Sequence, residues 1–301
     1  MIENKFQQGR KPVYVERYTS NADLLETNKG RSLPVPNTYS QGLDYFSNKR
    51  IDMKKDTWNG GYRDNRELID SWLDSKVDTE MSKDIGKFAM ECTATNTEKL
   101  TRRRYRVAGG AVAMGRFMAG EPQCMVAVVR QQVKSKVLDL AVDICVSAYI
   151  NANTVKAVGQ VLAGAVAQLE SSGYNMRVHV LCGVALDNSI ILNDVLLKDV
   201  KERFNADKML YALSNPGYAR GIMFGWTVRN PHYDGTYGLG LPLYWEYHDK
   251  RDVLDRLYKK ATGLDRVLVL QGLADRYERM SGTPDERVKR MRDEIVKQLT
   301  G

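Results

Sequence analysis

The second half of the chain alternates between two spacings of apolar residues, and this alternation constrains the fold more than any other feature. Residues 133–147 carry a nearly continuous apolar run, which predicts a strand that is buried on both faces. After it, apolar residues recur every three or four positions, as on one face of a helix: Val155, Val158, Leu162, Val166 and Leu169. We therefore expect a buried strand followed by a helix that packs on it.

The alternation continues to the carboxyl terminus. Residues 177–186 and 190–200 predict a second and a third strand, the third antiparallel, and residues 267–270 predict a fourth. Helices are predicted over residues 207–213, 218–226 and 252–261. This order predicts the α/β class, with a mostly parallel central sheet flanked by helices on both faces.

Polar residues and glycines predict where the helices begin and end. Asn153 is the predicted N-cap of the first helix, and Ser171-Ser172-Gly173 is its predicted end. Gly263 follows the helix over residues 252–261. Residues 283–286, Thr-Pro-Asp-Glu, match a capping box and begin a last helix.

The first half of the chain predicts two further parts. Residues 1–50 carry Gly and Pro turn signals and little apolar periodicity, which predicts an extended arm or cap. Residues 51–126 predict a helical N-terminal segment, with helices at 64–73, around 83–92 and at 112–118. Residues 127–301 then form the α/β domain. The glycines within residues 104–125 do not match a phosphate loop, because neither G-x-G-x-x-G nor Gly-Lys-Ser/Thr occurs there.

A carboxylate stands where the first strand of the predicted sheet ends. Asp143 closes the apolar run, and Cys145 and Ser147 follow it at a spacing of two. Burying an unpaired carboxylate is costly, so Asp143 needs a partner. In open α/β sheets, ligands bind beyond the carboxyl ends of the strands. Asp143 is thus a candidate metal ligand, a candidate catalytic group, or a structural carboxylate that caps the next helix.

Three blocks of sequence carry a resemblance to a known family: GGAVAMGRFMAGEP, LAVDICVSA and ALSNPGYARGIMF. Together they resemble von Willebrand factor A-like proteins, in particular an uncharacterised group encoded by bacteriophages. The similarity in the order of elements covers roughly residues 127–301. Within the second block, Asp143-Ile144-Cys145-Val146-Ser147 resembles the D-x-S-x-S element of that family.

The resemblance implies a metal-adhesion site. In the family, the Asp and two Ser oxygens help to hold Mg²⁺ or Mn²⁺, and a Thr and an Asp from other loops complete the shell. Hard cations of this kind prefer oxygen ligands and retain water. An open coordination position then accepts a carboxylate from a partner protein.

This chain departs from the family pattern at three positions. Cys145 stands where the first Ser belongs, and a thiol is a poor ligand for a hard cation. The fourth strand ends in Gln271 instead of an Asp, and only Ser214 or Thr227 offers a stand-in for the Thr. The resemblance therefore implies a degenerate site at Asp143, Cys145 and Ser147, with no certain cofactor. The alternative is that Asp143 and Ser147 hydrogen-bond the loop backbone and the start of the following helix.

By resemblance, the chain is expected to be a non-enzymatic adaptor within a protein complex. Intracellular members of the family commonly act with ring-forming AAA+ ATPases of the MoxR and chelatase type. The expected contact surface is the rim above Asp143 and Ser147, together with an aromatic loop that carries Tyr233, Tyr237, Tyr244, Trp245 and Tyr247. The alternative is that these aromatic residues pack the loop onto the sheet.

A basic cluster supports a second hypothesis, which is binding to RNA or DNA. The chain has a formal net charge of +8, and its most concentrated basic run is Arg102, Arg103, Arg104, Tyr105 and Arg106. Arginines in such a run contact phosphates, and the tyrosine stacks on a base. A solvated basic face and a structural component of a virion are the further alternatives.

Known catalytic motifs are absent from the sequence. It has no nucleophile elbow, no Walker A motif and no H-E-x-x-H. The four cysteines and three histidines lie at no metal-ligand spacing, so reduced thiols are expected. We therefore expect a protein that is not an enzyme.

Two further patterns bear on where the protein acts. No apolar run has the length of a transmembrane helix, and the first residues lack the apolar core of a signal peptide. We expect a cytoplasmic protein without a membrane partner, located in the host cytoplasm if it is phage-encoded.

Overall fold

A computed structural model describes residues 1–29, 65–73, 101–108, 110–130, 136–147, 149–233 and 241–300. The predicted helix around residues 83–92 and the side chain of Tyr237 lie outside these ranges.

The central sheet contains seven strands among the described residues. They are β1 (Ile2–Gln8), β2 (Lys11–Tyr18), β6 (Lys136–Asp143), β7 (Tyr174–Ala185), β8 (Ile190–Lys198), β9 (Leu241–Pro242) and β10 (Val267–Leu270). Their order is β1-β2-β8-β7-β6-β10, with β9 on β7. The neighbours β10, β6 and β7 run parallel, and β2 runs parallel to β8. The predicted antiparallel arrangement of the third strand is confirmed, because β8 runs antiparallel to β7.

Helices cover both faces of this sheet. One face packs against α1 (Asn21–Lys29), α2 (Asn65–Leu73), α4 (Ala152–Ser171), α5 (Ala206–Ser214), the π-helical α6 (Tyr218–Met223), α7 (Phe224–Thr227), α10 (Leu273–Arg279) and α11 (Pro284–Thr300). The other face packs against α8 (Leu243–Glu246) and α9 (Arg251–Thr262). The predicted α/β class with a mostly parallel sheet between helices is confirmed.

The strand that leads to Asp143 is apolar because both of its faces are buried. Leu140 and Val142 belong to the core beneath α4, whereas Ala141 belongs to the core beneath α9. Side chains alternate between the faces of a strand, so Asp143 shares the α9 side with Ala141. The strand therefore delivers a carboxylate into the apolar layer between the sheet and α9.

Three of the four predicted capping signals agree with the structure, and the exception is the start of α4. Its N-cap is Asn151, not Asn153, because the Asn151 side chain accepts a hydrogen bond of 2.8 Å from the Thr154 amide. The helix ends at Ser171 as predicted. Gly263 adopts a positive φ of 69° after α9, which an L side chain rarely adopts. In the last helix, the Thr283 amide donates to Glu286 at 2.8 Å, as expected for a capping box.

The N-terminal residues do not form an arm outside the sheet, which corrects the expectation for the start of residues 1–50. Strand β2 pairs with β8 over Val13–Tyr18, and its residues Val13 and Val15 are buried. Strand β1 extends the same sheet by pairing antiparallel with β2. The α/β domain thus begins at the amino terminus instead of at residue 127.

Residues 51–126 are not wholly helical, which corrects a second expectation. The predicted helix at 64–73 is present as α2. A second sheet consists of β3 (Thr101–Arg106), β4 (Ala111–Val112) and β5 (Met125–Arg130), with α3 (Met114–Met118) between β4 and β5. The arginine-rich run is therefore a strand, because β5 supplies backbone partners for every residue of β3.

Among the described residues, no helix is long and apolar enough to cross a membrane.

Candidate functional site

Asp143 lies at the carboxyl end of β6, and both of its carboxylate oxygens are already engaged. Its Oδ1 accepts a hydrogen bond of 2.9 Å from the Cys145 amide, and its Oδ2 accepts one from the hydroxyl of Tyr258 on α9. Asp143 and Tyr258 are both buried. The two bonds join the end of β6 to α9 and to the loop that follows the strand.

Burial raises the pKa of Asp143 to about 7. The hydrogen bonds from Tyr258 and Cys145 act in the opposite direction, because they favour the charged form. Burial also raises the pKa of Tyr258, so its hydroxyl stays protonated as the donor. The pair can therefore hold a proton near neutral pH inside the core.

Cys145 is buried beside a second free thiol, Cys182 on β7. A hydrogen bond with Cys182, together with burial, raises the pKa of the Cys145 thiol. Metal ligation by cysteine requires the thiolate. Cys145 thus remains a neutral, packed side chain in this environment.

Ser147 is held by the loop that contains it. Its hydroxyl accepts a hydrogen bond of 3.4 Å from the Tyr149 amide. Its carbonyl oxygen accepts one of 3.2 Å from the guanidinium of Arg220, which also donates to the Ile150 carbonyl. Arg220 is fully buried, so a cation inside the core fixes the loop between β6 and α4.

These residues do not fit a metal ion. Asp143 has a proton donor on each oxygen, and the small cavity beside it, of about 30 Å³, is otherwise lined by apolar groups and Cys145. The hydroxyl of Ser214 donates to the Leu210 carbonyl within α5, and that of Thr227 donates to the Met223 carbonyl at the end of α6. In the described part of the chain, no three His, Cys, Asp or Glu side chains are grouped as metal ligands. The contacts instead match the alternative of a carboxylate and a hydroxyl bonded to the loop backbone.

A larger cleft, of about 560 Å³, opens at the carboxyl end of β10. The end of β10, α8 with the residues after it, α9 and α10 all line it. A volume of this size is typical of sites that take small ligands or short segments. The cleft lies at the strand ends where ligands of α/β sheets bind.

Three of the five aromatic residues predicted as a partner surface line this cleft: Tyr244, Trp245 and Tyr247. Trp245 is 45% exposed, and the hydroxyl of Tyr244 donates to Asp275. Burial and then the Asp275 hydrogen bond raise the pKa of Tyr244. Tyr233 is instead buried in the core, as the packing alternative expected for that residue.

Charged groups of both signs also line the cleft. Arg276 forms an ion pair of 2.6 Å with Glu294, and Asp275 is the acceptor for Tyr244. Arg251 and Arg279 line the cleft without an ion-pair or hydrogen-bond partner among the described residues. Sequence reasoning overlooked these arginines because they lie on separate helices with no shared motif.

The Oε1 atom of Gln271 is buried at the cleft without a hydrogen-bond partner in the described structure. Gln271 directly follows the last residue of β10. A buried acceptor without a donor costs free energy, and a ligand that supplies a donor recovers it. Gln271 therefore presents one unsatisfied acceptor to a ligand in the cleft.

The basic run lies elsewhere, on the second sheet. The backbone of Arg102, Arg103 and Arg104 pairs with β5, while Tyr105 and Arg106 are exposed. The guanidinium of Arg116 lies 4.2 Å from the centre of the Tyr105 ring. One face of that ring is therefore already occupied by a cation.

Two residues that organise the Asp143 loop were missed from the sequence. Tyr258 falls on the apolar face of α9, where the sequence pattern indicates only a packing role. Arg220 had a usable signal, because a lone arginine inside the apolar run YARGIMF is a candidate for a buried cation.

A family model described as a domain of unknown function (DUF7192) matches residues 5–275. No curated protein and no solved structure matches the chain.

Proposed function

Since the chain belongs to the DUF7192 family, a domain of unknown function, we propose a role from the geometry: a non-enzymatic module that binds a partner protein at the cleft beside β10. The observation that carries the proposal is the position of Trp245. It stands half exposed between Tyr244 and Tyr247 in a cleft at the carboxyl edge of the sheet. Tryptophan and tyrosine are enriched among the residues that dominate binding energy at interfaces.

Binding at this cleft is proposed to need no metal ion. Asp143 accepts a hydrogen bond from Tyr258, and its raised pKa favours the protonated carboxyl group. The D-x-S-x-S-like element is therefore proposed to stabilise the loop instead of binding a metal ion. The element supports the cleft indirectly, because Tyr258 and the cleft-lining Leu254 and Asp255 belong to the same helix, α9.

One buried pair in the interior, His179 and Asp194, resembles a catalytic pair but is assigned a structural role here. The Nδ1 of His179 lies 2.8 Å from the Oδ1 of Asp194, a pairing that is common in catalytic sites. His179 and Asp194 are 8% and 1% exposed, so a substrate has no access to them. Arg17 approaches Asp194 at 3.8 Å and also bonds carbonyls at the end of α9, as a structural cluster would.

The resemblance to von Willebrand factor A-like proteins gives a partner class to test first, a ring-forming AAA+ ATPase of the MoxR type. The proposed setting is the cytoplasm, that of the host if the protein is phage-encoded. The free thiols of Cys124, Cys145 and Cys182 are consistent with a reducing compartment.

The test is to recover the tagged full-length chain from its native cells and to identify the proteins that co-purify, with and without EDTA. Wild type, Trp245→Ala, Tyr149→Ala and Phe117→Ala are compared. Tyr149 is 95% exposed in the loop after β6, and Phe117 is 59% exposed on α3, the helix between β4 and β5 of the second sheet. We expect a defined partner that is lost only with Trp245→Ala and is kept in EDTA.

Each variant reports on a different surface. Loss with Tyr149→Ala alone would move the contact to the rim above Asp143 and Ser147, and loss in EDTA would restore a metal-dependent mechanism. Retention in Trp245→Ala would contradict the proposal that the cleft is the binding site.

A second candidate, RNA or DNA binding, is favoured by one observation on the second sheet. Tyr105 is 47% exposed beside the exposed Arg106, in the most basic stretch of the chain. The discriminating measurement is the salt dependence of binding to single-stranded RNA and DNA. Phosphate contacts require the affinity to fall steeply with salt and to weaken in Arg106→Gln. A flat response to salt would reject this candidate.

A further inference from the structure

We infer that the cleft recognises an acidic segment of its partner, and that guanidinium groups of the cleft bind the carboxylates of that segment. The inference rests on the proposed function and adds the chemistry of the segment that is bound. It follows from the arginines and hydrogen-bond acceptors of the cleft that have no partner among the described residues.

Three arginines, Arg251, Arg276 and Arg279, line the cleft together with two aspartates, Asp255 and Asp275. Arg276 is paired with Glu294 at 2.6 Å. Arg251 and Arg279, which lie at the start of α9 and the end of α10, are exposed and carry no partner in the described structure. Guanidinium groups bind carboxylates through paired, charge-assisted hydrogen bonds. Two free arginines on separate helices are therefore positioned to hold carboxylates of one ligand.

The start of α9 adds to this potential. The helix has twelve residues, and its N-cap Lys250 provides no side-chain hydrogen bond to the first turn. Asp252 in that turn is paired with Arg256 at 2.8 Å. The positive end of the helix dipole thus adjoins the cleft beside Arg251.

The acceptors of the cleft define the rest of the ligand. Gln271 Oε1 is buried without a donor, and Asp255 has no partner among the described residues. The buried Oε1 of Gln271 is satisfied by an N–H or O–H donor of the ligand, whereas Asp255 is partly exposed and is hydrated. A peptide supplies backbone N–H donors together with acidic side chains, whereas a fully deprotonated anion such as sulfate supplies no donor for Gln271.

Apolar contact completes the match to a peptide. Trp245 is half exposed, and Leu254 and Val269 also line the cleft. An acidic segment that contains an apolar or aromatic residue satisfies the arginines, the acceptors and this surface together.

The test uses the full chain and two synthetic octapeptides that differ only in charge. One alternates Glu with Leu, and the other has Gln at every Glu position. Their binding is measured by isothermal titration calorimetry at low salt to wild type, to the double variant R251Q/R279Q and to Arg266→Gln. Arg266 is a matched control, because it is exposed and has no partner among the described residues, and it lies at the opposite, amino end of β10.

We expect the Glu peptide to bind wild type and Arg266→Gln equally, and to bind R251Q/R279Q at least about tenfold more weakly. The Gln peptide is expected to show no measurable binding. Equal binding of the Glu peptide to all three proteins, or no binding to wild type, would overturn the inference. Binding of AMP instead, lost in the double variant, would reassign the cleft to a small phosphorylated ligand.

Partner capture separates this inference from the proposed function. A partner that is lost with Trp245→Ala but kept by R251Q/R279Q leaves the cleft as the binding site and removes the acidic recognition. A partner kept by Trp245→Ala contradicts the proposed function itself.

Discussion

At the scale of single residues, the protonation state of Asp143 depends on the groups that surround its carboxyl group. A carboxylate in an apolar layer is costly in its charged form. Tyr258 and the Cys145 amide offset part of that cost by donating hydrogen bonds. The balance leaves the pKa of Asp143 at about 7, so the carboxyl group changes charge in the physiological range.

This balance predicts a stability that depends on pH. The pKa of Asp143 rises from the ordinary value of 3.8 to about 7 on folding, so the folded chain binds the extra proton between these values. The stabilisation is fully present below a pH of about 4 and is lost as the pH rises through about 7, by up to about 4 kcal/mol. Urea unfolding of wild type and Asp143→Asn across this range measures the effect, because the Asn variant cannot titrate.

The matched control for this experiment is Asp265→Asn, since Asp265 is exposed. Its stability is expected to follow that of wild type at every pH. Parallel pH profiles for wild type and Asp143→Asn would show that the buried carboxyl does not titrate as proposed.

Arg220 gives a second prediction at the residue scale. Its guanidinium is fully buried and donates to the carbonyls of Ser147 and Ile150. Arg220→Met leaves both carbonyls without that donor, at a cost of about 2 kcal/mol or more. Hydrogen exchange is expected to accelerate in residues 147–150, whereas the exposed Arg203→Met is expected to change neither stability nor exchange. Unchanged exchange in that loop would mean that Arg220 does not fix it.

At the scale of elements, the contact between α4 and α5 depends on one glycine. A Cβ atom on Gly159 would lie 2.3 Å from the Cα of Ser214, which is backbone and cannot move aside. The two helices therefore pack at a distance that only glycine permits. Gly164, in the same helix, has open space where its Cβ would be.

This difference predicts opposite effects for the same substitution. Gly159→Ala forces the helices apart and is expected to destabilise the fold by about 2–3 kcal/mol. Gly164→Ala is expected to be neutral or to stabilise by up to about 1 kcal/mol, because alanine has the higher helix propensity. Urea unfolding of the two variants checks the pair. Equal effects at both positions would mean that α4 and α5 are not in close contact.

The elements that were predicted from the sequence are those with a strong local signal. β6, α4 and α9 carry dense apolar patterns, and the strand at residues 267–270 was placed at its observed ends. The N-terminal strands were missed because Gly9 and Pro12 indicate turns, although Val13 and Val15 alternate as in a strand. Their burial depends on pairing with β8, which is far away in the sequence.

The residues of the candidate site also fall into two groups, those that a local sequence pattern identifies and those that only the folded chain brings together. Asp143 was identified from its position at the end of an apolar run, and Trp245 from a cluster of aromatic residues. Tyr258 lies 115 residues from Asp143, and no local pattern connects the two. Arg251, Arg279 and Gln271 come together only when α9, α10 and β10 pack.

At the scale of the whole molecule, the two N-terminal strands extend one edge of the central sheet. Strand β2 pairs with β8, and the Arg17 side chain bonds the Lys260 carbonyl at the end of α9 at 2.7 Å. Lys11 bonds the Leu186 carbonyl at 2.9 Å and pairs with Glu246 of α8 at 3.2 Å. The first eighteen residues thus connect the sheet to both helices that line the cleft on this face.

Two deletions test whether the domain requires this N-terminal pair of strands. Removing residues 2–10 takes away β1, most of which is exposed, and is expected to lower stability only modestly. Removing residues 2–18 also takes away Val13, Val15 and Tyr18, each at most 2% exposed. Burying an apolar side chain of this kind contributes about 1.5–3 kcal/mol, so the second deletion removes an amount comparable to the whole stability of a typical domain. Thermal unfolding and sedimentation check both variants. The variant without residues 2–10 is expected to unfold cooperatively and to sediment like wild type. The variant without residues 2–18 is expected to be unfolded or aggregated, because its β8 edge is exposed. A second variant that unfolds cooperatively near the wild-type temperature would show that the α/β domain is independent of its amino terminus.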